Sequence, residues 1–140
     1  MALPDKLFLD ANVLFTAAHN PGGKAALLFE LQSIAPAPWQ LATSAYAIHE
    51  ARRNLELKFP AALHAFAGLV TGLTIVAQPA SPEQPLELPV KDIPIWSAAL
   101  AARVTHLLTG DLRDFGAHMN RPQQTFGVII LTVSQYLDQY

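Results

Sequence analysis

Short apolar runs alternate along this chain with stretches whose apolar residues recur at helical spacing, and that alternation predicts a parallel α/β protein. Leu7-Phe8-Leu9 is a continuous apolar run, as expected of a strand buried on both faces. It ends in Asp10, and Ala11 to Ala18 reads as a short helix. Asn20-Pro21-Gly22-Gly23 is a turn, and Lys24 to Ile34 is a largely apolar helix that Pro36 and Pro38 stop. Trp39 to Thr43 reads as a second strand, and Ser44 as the cap of a helix reaching about Phe59. Pro60 opens another helix, to about Val70, in which only His64 is polar.

Thr74 to Ala77 is a third strand candidate. Gln78 to Lys91, with Pro79, Pro82, Pro85 and Pro89, reads as an ordered loop rather than a linker. Asp92 opens a helix through about Val104, with Pro94 in its tolerated first turn. His106 to Thr109 is a strand ending in Gly110-Asp111, and Gly127 to Leu131 is the last. Thr132 caps a final helix, Val133 to Gln139. With no internal repeat, the expectation is a single domain spanning 1–140, with a parallel sheet sandwiched by helices.

Composition narrows the class. The chain is 51% hydrophobic but only 14% charged, which is too apolar for disorder and leaves apolar surface for a partner. No apolar run approaches the roughly 18 residues of a membrane span, and the first residues lack the regions of a signal peptide, so the expected location is cytoplasmic with no membrane contact. The absence of cysteine excludes disulfides and thiolate metal sites. A formal net charge of −2 is not the footprint of a protein that binds nucleic acid by charge alone. No Gly-rich phosphate loop follows the first strand. The five histidines show no ligand pairing, with His49 the one considered for substrate contact.

Candidate chemistry therefore rests on carboxylates. Asp10 and Asp111 follow apolar strands, Asp92 stands at a helix start, Glu50 lies about two turns after Ser44, and Asp114 follows Asp111 by one turn. Each also has a structural reading: Asp92 and Asp111 as helix caps, Glu50 as a solvated charge beside Arg53 or Asn54. In a parallel sheet, however, strand ends and the following helix starts share one edge, so Asp10, Asp92 and Asp111 should converge there. Such a cluster repels itself unless a hard cation bridges it, and carboxylate oxygens suit Mg²⁺ or Mn²⁺.

With these residues in view, the sequence resembles the PIN-domain ribonucleases, of the kind found as VapC-type toxins. The resemblance rests on Leu-Asp-Ala-Asn-Val-Leu around Asp10, His-Glu-Ala-Arg-Arg around Glu50, Lys-Asp-Ile-Pro-Ile around Asp92, and Leu-Leu-Thr-Gly-Asp-Leu-Arg-Asp-Phe around Asp111. It implies a PIN-like three-layer α/β/α sandwich with a central parallel β-sheet, and Mg²⁺- or Mn²⁺-dependent hydrolysis of RNA. By motif match, Asp10, Glu50, Asp92 and Asp111 would be the catalytic, metal-binding acids, with Asn12, Thr109 and Asp114 accessory. Arg52, Arg53 and Lys91 would contact the RNA backbone. A cognate antitoxin and a homodimer are the implied partners, with Phe66, Leu69 or Val70 in or beside the dimer interface unless they belong to the core. Two rivals share parts of the pattern. A haloacid-dehalogenase-like phosphatase would use Asp10 as nucleophile, but would have Asn12 where its second acid belongs and no role for Glu50. A non-catalytic RNA- or protein-binding module would not call for all four acids.

Overall fold

The computed structural model describes residues 3–140. Its strands are β1 (Asp5–Leu9), β2 (Trp39–Ser44), β3 (Thr74–Val76), β4 (His106–Leu108) and β5 (Ile129–Leu131), all parallel, in the order β3-β2-β1-β4-β5. The helices are α1 (Ala11–His19), α2 (Lys24–Gln32), α3 (Ala45–Lys58), α4 (Leu63–Val70), α5 (Ile93–Ala101), α6 (Leu112–Phe115) and α7 (Val133–Gln139). This is the α/β/α sandwich around a central parallel sheet that the alternating pattern called for. Leu7, Phe8 and Leu9 of the central strand are wholly buried, so helices cover both faces of the sheet there.

Topology decides where a site can form. The chain builds β1, β2 and β3 outward in one direction, then crosses to lay β4 and β5 on the other side of β1. The β1–β4 boundary is the switch point, where the helices following the two strands leave in different directions and open a crevice. Register aligns Leu9 with Leu108, and the Asp10 amide donates to the Leu108 carbonyl at 3.0 Å, so Asp10 and Thr109 end neighbouring strands side by side.

The capping signals act as read. The Ser44 hydroxyl accepts from the Ala47 amide, and Thr132 and Gln135 form a reciprocal capping box at α7. The Pro-rich loop is tied down: Gln78 donates to the Pro94 carbonyl, the Trp96 indole to that of Gln84, and the His118 imidazole to that of Glu87. Pro60–Ala62 is a 3₁₀ turn leading into α4 rather than part of it.

Two boundaries differ from the sequence reading for one reason. α5 stops at Ala101 rather than Val104 because Arg103 adopts a left-handed conformation (φ 54°) and turns the chain into β4. β5 starts at Ile129 rather than Gly127 because Phe126 (φ 53°) and Gly127 (φ 88°) are both left-handed. Phe66, considered as an interface residue, is 2% exposed and belongs to the core; Leu69 and Val70 pack partly buried against it. Substituting Phe66 would therefore read stability, not assembly.

Arg103 carries the steric cost of the left-handed region without glycine's freedom, about 1 kcal/mol. Arg103→Gly is expected to raise unfolding stability by up to about 1 kcal/mol in urea melts, glycine's greater unfolded-state entropy offsetting part of the gain.

Candidate metal centre

A cleft of about 400 Å³ opens over the carboxyl ends of β1 and β4, and Asp10, Glu50, Asp92 and Asp111 all line it, with Asn12 and Lys91. Four acids separated by up to 101 positions in sequence thus meet at the switch point, each delivered by a different element.

Asp10 is the fixed point. It is 3% exposed and caps α1, its Oδ1 accepting from the Ala11 amide at 2.7 Å. Its Oδ2 accepts from the Thr109 hydroxyl at 2.8 Å and from the Asn12 amide nitrogen at 3.2 Å. Asn12 Oδ1 in turn accepts from the Gly110 amide at 2.7 Å, and Thr109 Oγ1 from that of Asp111 at 3.0 Å. The end of β4 is therefore stitched to the start of α1. A side chain at position 110 would place its Cβ 3.3 Å from Asn12 Oδ1, a tight contact that would press on the Asn12–Gly110 bond. Burial pushes the Asp10 carboxyl up to about 6 against the opposing hydrogen bonds from Thr109 and Ala11, and Glu50 and Asp111 add repulsion.

A tighter group lies to one side. One carboxylate oxygen from each of Asp92, Asp111 and Asp114 falls within 4.8 Å of the others. Asp92 does not act as the cap that its position suggested: its side chain makes no capping bond, and Oδ2 is buried without a partner. Ser97 Oγ is the other such atom among the described residues, but a neutral hydroxyl tolerates that far better than a carboxylate. Burial, then a hydrogen bond shared with Asp114, pushes Asp92 up to about 7; the same bond, with Lys91, holds Asp114 below the usual carboxylate range. Asp111 does cap a helical turn, Oδ1 accepting from the Asp114 amide at 3.0 Å, while its Oδ2 stays in the cluster. Lys91 Nζ sits 3.0 Å from Asp114 and 3.5 Å from Asp111, so its ammonium faces the acids.

These residues suit a hard divalent cation. The donors are carboxylate oxygens, one of them buried and unpartnered, and Lys91 alone leaves that oxygen without a partner. Asp114 belongs to this compact group but does not line the cleft, whereas Asp10 lines the cleft with both of its oxygens accepting hydrogen bonds.

The basic residues are arranged differently from the sequence reading. Lys91 lines the cleft, but Arg52 and Arg53 are exposed elsewhere on α3, with the Arg52 guanidinium 5.8 Å from the Phe66 ring centre. His49 does not line the cleft either. Residues 46, 50, 54 and 58 fall at intervals of four, and that face of α3 supplies Glu50, Asn54 and Lys58 to the cleft. Tyr46, one turn before Glu50, donates its hydroxyl to the Lys91 carbonyl at 2.9 Å and anchors the segment carrying Asp92. Counting helical turns from Glu50 could have found all three residues beyond it.

The switch-point crevice and flanking helices define a three-layer α/β/α fold with its cleft at the carboxyl edge of a parallel sheet. No protein-family model matches this sequence, and no curated protein matches it. Among solved structures, a chain of VapBC2 from Rickettsia felis, crystallised with a DNA fragment from its promoter, is similar in fold: TM-score 0.62 and 15% identity, over 89% of this chain and 96% of that one. A chain of VapBC-1 from nontypeable Haemophilus influenzae gives 0.59 and 14%, over 92% and 98%. The likeness is one of fold, nearly end to end.

The raised Asp10 carboxyl has a consequence for stability. The folded chain holds the Asp10 proton up to about pH 6, whereas the unfolded chain releases it near pH 3.8, so its contribution is complete below pH 3.8 and lost as pH rises through 6. Asp92 acts in the same direction up to about pH 7. His106, kept neutral by burial, acts oppositely below its ordinary pKa, so the informative quantity is the difference between native and Asp10→Asn chains. In chelator, Asp10→Asn is expected to melt higher than the native chain at pH 8, and the gap to shrink by pH 5. Mg²⁺ or Mn²⁺ should raise the native melting temperature at pH 8 by about 5 °C and that of Asp10→Asn by much less.

Proposed function

We propose that this chain is a PIN-type endoribonuclease that hydrolyses RNA phosphodiester bonds with Mg²⁺ or Mn²⁺, and that it serves as the toxin of a toxin–antitoxin pair. The observation that carries this reading is the buried, unpartnered Asp92 Oδ2 within a cleft shared by Asp10, Glu50 and Asp111. Asp92, Asp111 and Asp114 would hold the ion, with Glu50 and Asp10 completing its negative surroundings. A divalent ion so bound supplies Lewis acidity for attack by water and charge compensation at the leaving oxygen.

The chain's own groups divide the remaining work. Thr109 and Asn12 keep Asp10 oriented through hydrogen bonds that need no ion. Glu50 enters no hydrogen bond or ion pair among the described residues, so its carboxylate is available to a water or an ion. Tyr46 holds the backbone that carries Lys91 and Asp92. Lys91 and Lys58 put positive charge beside the acids, where a phosphodiester must approach an otherwise anionic surface. The phosphatase reading fits less well: both Asp10 oxygens accept hydrogen bonds, and Asn12 spends its amide group on Asp10 and Gly110.

The two similar chains come from VapBC complexes, which supports an antitoxin as partner here. A homodimer belongs to the same reading, through a surface other than Phe66. Among the described residues, no helix is long and apolar enough to cross a membrane.

With a mixed RNA pool and Mn²⁺, the native chain is expected to cleave and chelator to stop it. Asp10→Asn and Glu50→Gln should each lose at least about a hundredfold in rate. Glu50→Gln should do so with stability within about 0.5 kcal/mol of native, as for a half-exposed helix position. Native-like cleavage by both variants would remove these acids from the chemistry.

A further inference from the structure

Beside the acidic cleft the surface changes character. The end of α1 and the end of α3 bring three rings together: His19 and Phe59 are stacked, centroids 4.4 Å apart and 7° from parallel, and Phe15 tilts against them at 4.7 and 5.7 Å. Phe15 lines the acidic cleft, while His19 and Phe59 line an adjoining cleft of about 520 Å³ beside the Pro60–Ala62 turn. Lys58 lines both, its Nζ 6.0 Å from the centre of the Phe15 ring.

A packing role accounts for part of this. Phe15 and His19 are half-buried and close α1 against the corner where α3 gives way to the 3₁₀ turn. It does not account for Phe59, which keeps 44% of its surface exposed at the edge of a charged cleft. Nor does it account for the placing of Lys58. An apolar peptide seated on the rings would need no cation between them and the acids. A nucleic acid strand would, since its phosphates alternate with bases, and single strands are held by aromatic platforms joined to basic residues.

The geometry points to a nucleobase-stacking subsite: Phe59, backed by His19 and Phe15, takes the base of an unpaired nucleotide beside the reacting phosphate, and Lys58 meets the phosphate between. This rests on the ribonuclease reading and adds to it a subsite for one base of the substrate. A base inside a duplex offers no free face, so the subsite selects single-stranded or looped RNA.

The test measures binding without cleavage: anisotropy of a short dye-labelled single-stranded RNA, in Mg²⁺, with the full chain carrying Asp10→Asn as parent. Adding Phe59→Ala should weaken binding about tenfold, the loss of one base–aromatic stack, and Phe59→Leu nearly as much, because an aliphatic side chain cannot stack. Phe59→Trp should keep the affinity, and its emission should be quenched by RNA; Trp39 and Trp96 are 1% and 0% exposed and should not respond. Lys58→Gln should lower the slope of log affinity against log salt by about one. A blunt RNA duplex should bind with no dependence on Phe59. Should Phe59→Ala and Phe59→Leu bind the single strand as tightly as the parent, the subsite is overturned and the ribonuclease reading stands. Should neither the parent nor the native chain bind RNA at all, both readings fall.

Discussion

Carboxylates gathered at one end of a sheet repel one another and lose hydration, and the architecture around this cleft is what keeps them there. The switch point between β1 and β4 provides a crevice that sheet geometry opens regardless of the residues in it. Into that crevice the chain directs Asp10 from β1, Asp111 from the end of β4, Glu50 from α3 and Asp92 from the turn before α5. Hydrophobic burial of β1 holds the frame: Leu7, Phe8 and Leu9 are fully enclosed, so Asp10 cannot retreat into water without moving the central strand. Burial first, with repulsion between the acids adding to it, holds the Asp10 and Asp92 carboxyls above the usual carboxylate range.

The acids are not equivalent. Asp10 is satisfied by donors from Ala11, Thr109 and Asn12, and behaves as a structural anchor whose charge also faces the cleft. Asp111 divides its two oxygens between capping α6 and facing Lys91. Asp92 has a buried oxygen with nothing to accept from, and Glu50 enters no bond among the described residues. Unmet demand is thus concentrated on the side of the cleft where α3 and the start of α5 approach each other. Lys91 answers part of it, its ammonium serving as a counter-charge for the acids.

Much of this was legible in the sequence, and the reasons differ by element. Strand runs and capping residues report on local energetics, so Leu7 to Leu9, Ser44 and Thr132 could be read directly. The convergence of Asp10 and Asp111 followed from sheet topology, because parallel strands share an edge, and Asp92 joined them as the start of the helix that follows β3. The boundaries at Arg103 and Phe126 were not legible because neither residue favours the left-handed region locally and tertiary packing overrides that preference, while Gly127 beside Phe126 reads as the start of the strand. Phe66 was ambiguous because an apolar residue on an apolar helix looks the same in a core and at an interface. Arg52 and Arg53, adjacent to Glu50 in sequence, do not line the cleft whereas Asn54 and Lys58 do: neighbours in sequence point to different faces of a helix, and residues four and eight positions on return to the same one. Asp114 stood one turn from Asp111, but its contact with Asp92 depends on the path of the Pro-rich loop, which no local pattern encodes.

Calorimetric titration of Mn²⁺ into the chelator-stripped chain near pH 6.5, repeated in buffers of different ionisation enthalpy, tests the central claim most directly. A metal centre built on carboxyls with raised pKa values should bind saturably and release protons on binding, because protonated Asp10 and Asp92 must give way to the cation. Asp92→Asn should weaken that binding strongly, and proton release should diminish with it. Binding that is absent, or that is unchanged in Asp92→Asn and independent of buffer, would contradict the account and leave the acids as a cluster balanced by Lys91 alone.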